Sequence, residues 1–141
     1  VNPVQGFRAW LSPRLATYAI GVLQDVRSEA SVAALLAFCE QADFSEDDPL
    51  SAPSRALAAL NLLLSFDKAV VVPIATQLAL LHLVQRVWEQ APTTQGRSLA
   101  LYAVRGAAAH EALQWVQTLV VEDAELIAAR KVALKRLRQR L

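Results

Sequence analysis

The 141 residues include no methionine, one cysteine, two histidines and four glycines. Each shortage removes a class of explanation. With Cys39 alone, no internal disulfide can form, and a reducing, cytoplasmic compartment is the expectation. Its setting in VAALLAFCEQA, one turn after Leu35 and Leu36, predicts a small buried hydrophobe rather than a reactive thiol. The glycines, Gly6, Gly21, Gly96 and Gly106, are too scattered for a phosphate-cradling motif, and TTQGRS before a helix is a weak anion-binding signal at most. A chain that starts at Val1 without any methionine is expected to be processed or cut from a longer protein, and its first residues do not read as a secretory leader.

The shortage of histidine weakens catalytic and metal readings. His82 shares a helical stripe with Gln85, Arg86 and Glu89, a rim position rather than a pocket. His110 opens HEALQWVQ, but the second histidine of a zinc helix, four residues later, is missing. The acidic stretch from Asp43 through Glu46, Asp47 and Asp48 fails the calcium-loop pattern. Counted from Asp43, the glycine needed at position six is Asp48, and the glutamate needed at position twelve is Ser54. A globin-like sensor or small-ligand domain would need His82 as proximal ligand facing an apolar cavity, which its polar neighbours oppose. No enzyme, cofactor or metal site is therefore expected.

Long hydrophobic runs are also scarce. AVVVPIATQLALLHLV, residues 69–84, is sixteen residues long and interrupted by Pro73, Thr76, Gln77 and His82, whereas a membrane span needs about 20 apolar residues. A central core helix is the better reading.

What the chain has in abundance is alanine and leucine, 49 residues together, and this composition favours helix. The length suits a single domain over residues 1–141 that is stable through hydrophobic burial alone. A hydrophobic fraction of 55% with mean hydropathy +0.30 leaves apolar surface to spare, some of it expected to face a partner. Trp10, Trp88 and Trp115, with Tyr18 and Tyr102, are dispersed one per helix as core anchors would be.

Caps and periodicity predict helices over 13–26, 29–42, 53–66, 73–90, 95–107, 109–121 and from 123 to the C-terminus. A short helical turn is expected in NPVQGFRAW at the start, and a short VVV piece precedes Pro73. Expected inner faces are Ala16, Ile20 and Leu23 on the first helix and Val32, Leu35, Leu36 and Cys39 on the second. The third presents Leu57, Leu60, Leu63 and Leu64. The fold class is all-α, with six to seven helices packed as antiparallel hairpins.

Ser12-Pro13, Ala52-Pro53 and Ala91-Pro92 recur at intervals of 40 and 39 residues, each before a helix pair. The spacing resembles that of HEAT or armadillo repeats, and a compact orthogonal bundle fits it as well. The side chains of the three units match poorly, and no family signature accompanies the period.

Charge is the remaining signal. Residues 1–129 carry eight Lys and Arg against thirteen Asp and Glu, while residues 130–141 carry six against none. On a helical wheel the segment 123–141 is amphipathic: Leu126, Ile127, Ala133, Leu134, Leu137 and Leu141 gather on one side, Lys131, Lys135 and Arg138 on another. Arg130 falls within the apolar side, where a charge needs a carboxylate or a path for its head to water. The candidate interaction surface comprises Arg130, Lys131, Leu134, Lys135 and Arg136, continued by Leu137, Arg138, Arg140 and Leu141.

This ending can dock on the body, bind a protein partner or second copy, or bind nucleic acid or an anionic membrane. A net-negative body without a second basic surface disfavours nucleic acid, and the lack of aromatic anchors disfavours membrane. An attraction between the acidic loop at 43–48 and the basic helix, within one molecule or between two, is a further expectation. The sequence thus points to a non-enzymatic protein-protein interaction or scaffold domain.

Overall fold

A computed structural model of the chain describes residues 13–45, 48, 50–65 and 72–141. Trp10 and NPVQGFRAW, most of the VVV piece, and the acidic residues Glu46 and Asp47 lie outside them. Among the described residues there are seven α-helices and no strand.

The helix boundaries follow local chemistry. α1 (Pro13–Val26) has proline in its first turn, and the chain reverses through Arg27 in the left-handed region, φ 52°. Ser28 then caps α2 (Glu29–Gln41) by accepting a hydrogen bond on Oγ from the Ser31 N–H at 3.1 Å. α3 (Ala52–Ser65) places Pro53 in its first turn, where the missing N–H costs nothing. Pro73 precedes α4 (Ile74–Gln90), and Thr93 precedes α5 (Thr94–Ala103). A single 3₁₀ turn (Val104–Gly106) follows, then α6 (Ala109–Thr118) and α7 (Ala124–Gln139).

α3 packs between α1 and α5, and α5 packs in turn on α7, so the odd-numbered helices form one row. α2 lies on α1, α3 and α4, α4 on α5, and α6 on α7. The most closely packed consecutive pairs are therefore α2 with α3, α4 with α5 and α6 with α7, whereas α3 and α4, like α5 and α6, scarcely touch. The proline period marks helix starts correctly, but the hairpins are phased one helix later than the prolines imply. Proline at N1 reports where a helix begins and carries no information about which neighbour it packs against.

The core is one continuous cluster through the layers, including Leu35, Leu57, Leu60, Leu80, Leu101 and Leu137, all fully buried. Each such leucine contributes roughly 1.5–3 kcal/mol on burial. Cys39 is fully buried among them, and burial pushes its thiol pKa up to about 12. Leu23 and Leu64 are only half-buried against the cluster. Trp88 is buried and meets half-buried Trp115 edge to face, with ring centroids 6.1 Å apart. Tyr18 departs from the expected core role, since 73% of it is exposed. It lies with Leu15, Val22 and Val26 on an exposed apolar stripe of α1, at the end of the odd-numbered row.

Helices α1 to α6 carry no basic residue in their own last turns. At α2, α4 and α6, arginines from neighbouring helices supply the missing charge. Arg86 of α4 donates to the Ala42 carbonyl at 3.1 Å and to the Cys39 carbonyl, closing the end of α2, and its guanidinium lies over the Phe44 ring. Arg97 of α5 donates to the Trp88 carbonyl near the end of α4, 4.9 Å from the centroid of that indole. Such contacts satisfy orphan carbonyls and oppose the negative pole of the helix. A different device joins α3 to the 3₁₀ turn: a Cβ on Gly106 would stand 2.5 Å from the Leu64 Cβ. Only glycine permits that approach.

Candidate interaction surface

α7 begins at Asp123, whose carboxylate accepts a hydrogen bond from the Glu125 N–H at 2.9 Å, and ends with Arg136 and Arg138 in its last turn. Acid at the start and cation at the end both complement the helix dipole. Leu126, Ala129, Ala133, Leu134 and Leu137 are buried, and they form the side of α7 that packs on α5 and α6. Burial of three leucines outweighs any gain from leaving the helix free, so the basic ending is docked.

Two of its six cations act within the fold. Arg130 is half-buried and donates through Nε to the Val116 carbonyl and through NH2 to the Gln117 carbonyl, both at 3.2 Å. It closes the end of α6 as Arg86 closes α2. The charge that looked costly on the apolar side thus finds carbonyls rather than a carboxylate. Arg140 donates from one nitrogen to the carbonyls of Arg105, at 2.5 Å, and Ala107, at 2.6 Å, and from the other to Gln77 Oε1 at 3.3 Å. Burial, and next the charge of Arg136, lower its pKa. The pKa of Arg105 is lowered mainly by burial; Tyr102 raises it and Arg136 lowers it. Arg105 also donates to the Tyr102 carbonyl and to Asn61 Oδ1, so it ties α5 to α3.

The predicted surface divides accordingly. Leu137 is fully buried and belongs to the core, a correction that follows from its position facing α5 and α6. Arg140 and half-buried Arg136 cluster at the C-terminal end, and Leu141 is exposed there. The remaining five come together. Arg130, Lys131, Leu134, Lys135 and Arg138, joined by Ile127 and Gln139, line an open groove of about 750 Å³ along the flank of α7. The lining repeats at i, i+3 and i+4, one stripe of a helix. Its accessible apolar surface comes from half-exposed Ile127 and the stems of the long cations, with buried Leu134 beneath them, while Lys131, Lys135 and Arg138 are exposed at its edge. Ile127, grouped on the wheel with the apolar side, is 49% exposed. Its four-residue spacing to Lys131 was the available signal that it shares the charged flank.

The described acids of the 43–48 loop are occupied locally. Asp43 accepts from the Ser45 N–H at 2.9 Å and Asp48 from the Leu50 N–H at 2.9 Å. The Ser45 backbone bond, then its hydroxyl, lowers the Asp43 pKa. The loop follows α2, whose main packing partners are α1, α3 and α4, so the described acids lie away from α7. His82 is exposed, and His110 is exposed near Gln114. Among the described residues no group of three His, Cys, Asp or Glu side chains could hold a metal ion, and no helix is long and apolar enough to cross a membrane.

The chain matches no protein-family model, no curated protein and no solved structure.

Proposed function

We propose that this chain is a non-enzymatic interaction domain that binds a protein partner through the outer flank of α7. The groove along Ile127, Lys131, Leu134, Lys135 and Arg138 carries the reading. An apolar floor supplies area whose burial drives association, and the exposed cations at its edge steer and orient the encounter. Arg130 and Arg140 contribute indirectly, by fixing α7 to the carbonyls beneath it. The buried single cysteine fits a reducing compartment.

The test is a photo-crosslinking amino acid placed at Ile127 and, as a control, at exposed Glu40 on α2. A discrete protein product at Ile127 and none at Glu40, identified by mass spectrometry in repeated preparations, is expected. Equal or absent products at the two sites would remove α7 as the binding surface.

A further inference from the structure

The groove on α7 also constrains what can occupy it. We infer that its partner is an acidic amphipathic helix, whose apolar ridge lies on exposed Ile127 and the stems of Lys131 and Lys135 and whose carboxylates meet Lys131, Lys135 and Arg138. This rests on the proposed use of α7 as the interaction surface. Charge complementarity selects the sign: the edge of the groove bears exposed cations, while Arg130, the other cation of the lining, donates to Val116 and Gln117. Geometry selects the helix. The lining stripe from Ile127 to Arg138 spans twelve residues of α7, eleven rises of 1.5 Å or about 16 Å, close to three turns. Its i, i+3, i+4 spacing is the groove into which the ridge of a second helix packs, with flanking charges setting register.

The same observations disfavour other occupants. A second copy docked by the same face would bring Lys131, Lys135 and Arg138 against themselves across a two-fold axis. A membrane surface needs the apolar side of a basic helix, and on α7 that side is buried against α5 and α6. A nucleic acid duplex would gain phosphate contacts from few free cations and nothing from the apolar floor.

The experiment is a fluorescence-anisotropy titration of the full chain with a labelled 14-residue peptide that has Leu at helical i, i+3, i+4 and i+7 positions and Glu on both flanks. A permuted peptide of the same composition, with its leucines spread around the helix, serves as control. The amphipathic peptide is expected to bind at least tenfold more tightly than the permuted one. Ile127→Ser should weaken it at least tenfold, as should the triple variant Lys131→Glu, Lys135→Glu, Arg138→Glu. Affinity of the triple variant should return when the peptide glutamates are replaced by lysine. All four positions are at the surface, and circular dichroism confirms the fold of each variant.

Equal binding of the two peptides, no binding of either, or no effect of charge reversal would overturn the inference. Tighter binding of a 16-base-pair DNA duplex or of phosphatidylserine vesicles at the same salt would do so as well. A crosslink at Ile127 to a protein without an acidic amphipathic segment would refute this partner class while leaving the interaction function standing.

Discussion

Replacing Arg130 with methionine separates the structural cations of α7 from the exposed ones. The substitution keeps most of the apolar stem and removes the guanidinium that donates to the Val116 and Gln117 carbonyls, both at 3.2 Å. Hydrogen bonds to a charged group contribute about 1.5–3 kcal/mol each when well buried. Arg130 is half-buried, and water can reach the freed carbonyls, so the expected loss for the pair is about 1–2 kcal/mol. For a domain of this size that lowers Tm by roughly 3–8 °C. Urea unfolding followed by circular dichroism gives the free energy. Tryptophan emission gives a local view, because Trp115 precedes Val116 in α6 and packs edge to face on Trp88. Lys131→Met, one residue away and exposed, should change stability by no more than about 0.5 kcal/mol. Arg130→Lys should fall between the two, because an ammonium keeps the charge and loses the fork that reaches two carbonyls. If Arg130→Met costs no more than Lys131→Met, the guanidinium is solvated and the account of α7 as the cap of α6 is wrong.

Gly106→Ala should destabilise by about 1–3 kcal/mol, read as a shift in the urea midpoint, because the new methyl would stand 2.5 Å from the Leu64 Cβ and 3.1 Å from its carbonyl carbon. The Cys39 thiol, held near pKa 12 by burial, ionises at about 8.5 in the unfolded chain, so the unfolded state loses its proton first. Stability is therefore whole below about pH 8.5 and falls as pH rises toward 12, by up to about 1.4 kcal/mol per pH unit, and Cys39→Ala should show a shallower alkaline decline in parallel urea titrations. The same burial means that a thiol reagent at pH 8 should label Cys39 only as fast as the protein opens, which a comparison of labelling and unfolding rates checks. Arg86→Met should cost at least as much as Arg130→Met by urea unfolding, since Arg86 closes α2 through Cys39 and Ala42 and also lies over Phe44.

The site was partly legible before the structure. Wheel positions at four-residue spacing placed Lys131, Lys135 and Arg138 together on α7, and the structure keeps them at one groove edge. The wheel grouped Ile127 with Leu126 on the apolar side, and the structure puts Leu126 in the core and leaves Ile127 half outside. At 100° per residue Ile127 stands at the edge of the apolar arc, next to Arg138, and only the placement of α5 and α6 decides how far their cover extends around the helix. Leu137 was included in the candidate interaction surface, yet it shares the wheel side of Leu126 and Leu134 and is buried with them.

The sequence by itself determined that this chain is helical, where each helix begins, and that its charge divides between an acidic body and a basic ending. Composition, Ser28, Pro53 and Asp123 act within a few residues of their own positions, so their effects can be read along the chain. Only the tertiary structure decided which helices pair, why Gly106 must be glycine, and that Arg86, Arg97 and Arg130 close helices other than their own. Those contacts join residues from 9 to 47 positions apart. A guanidinium meets a carbonyl at such a distance only after packing of the core has brought the helices together.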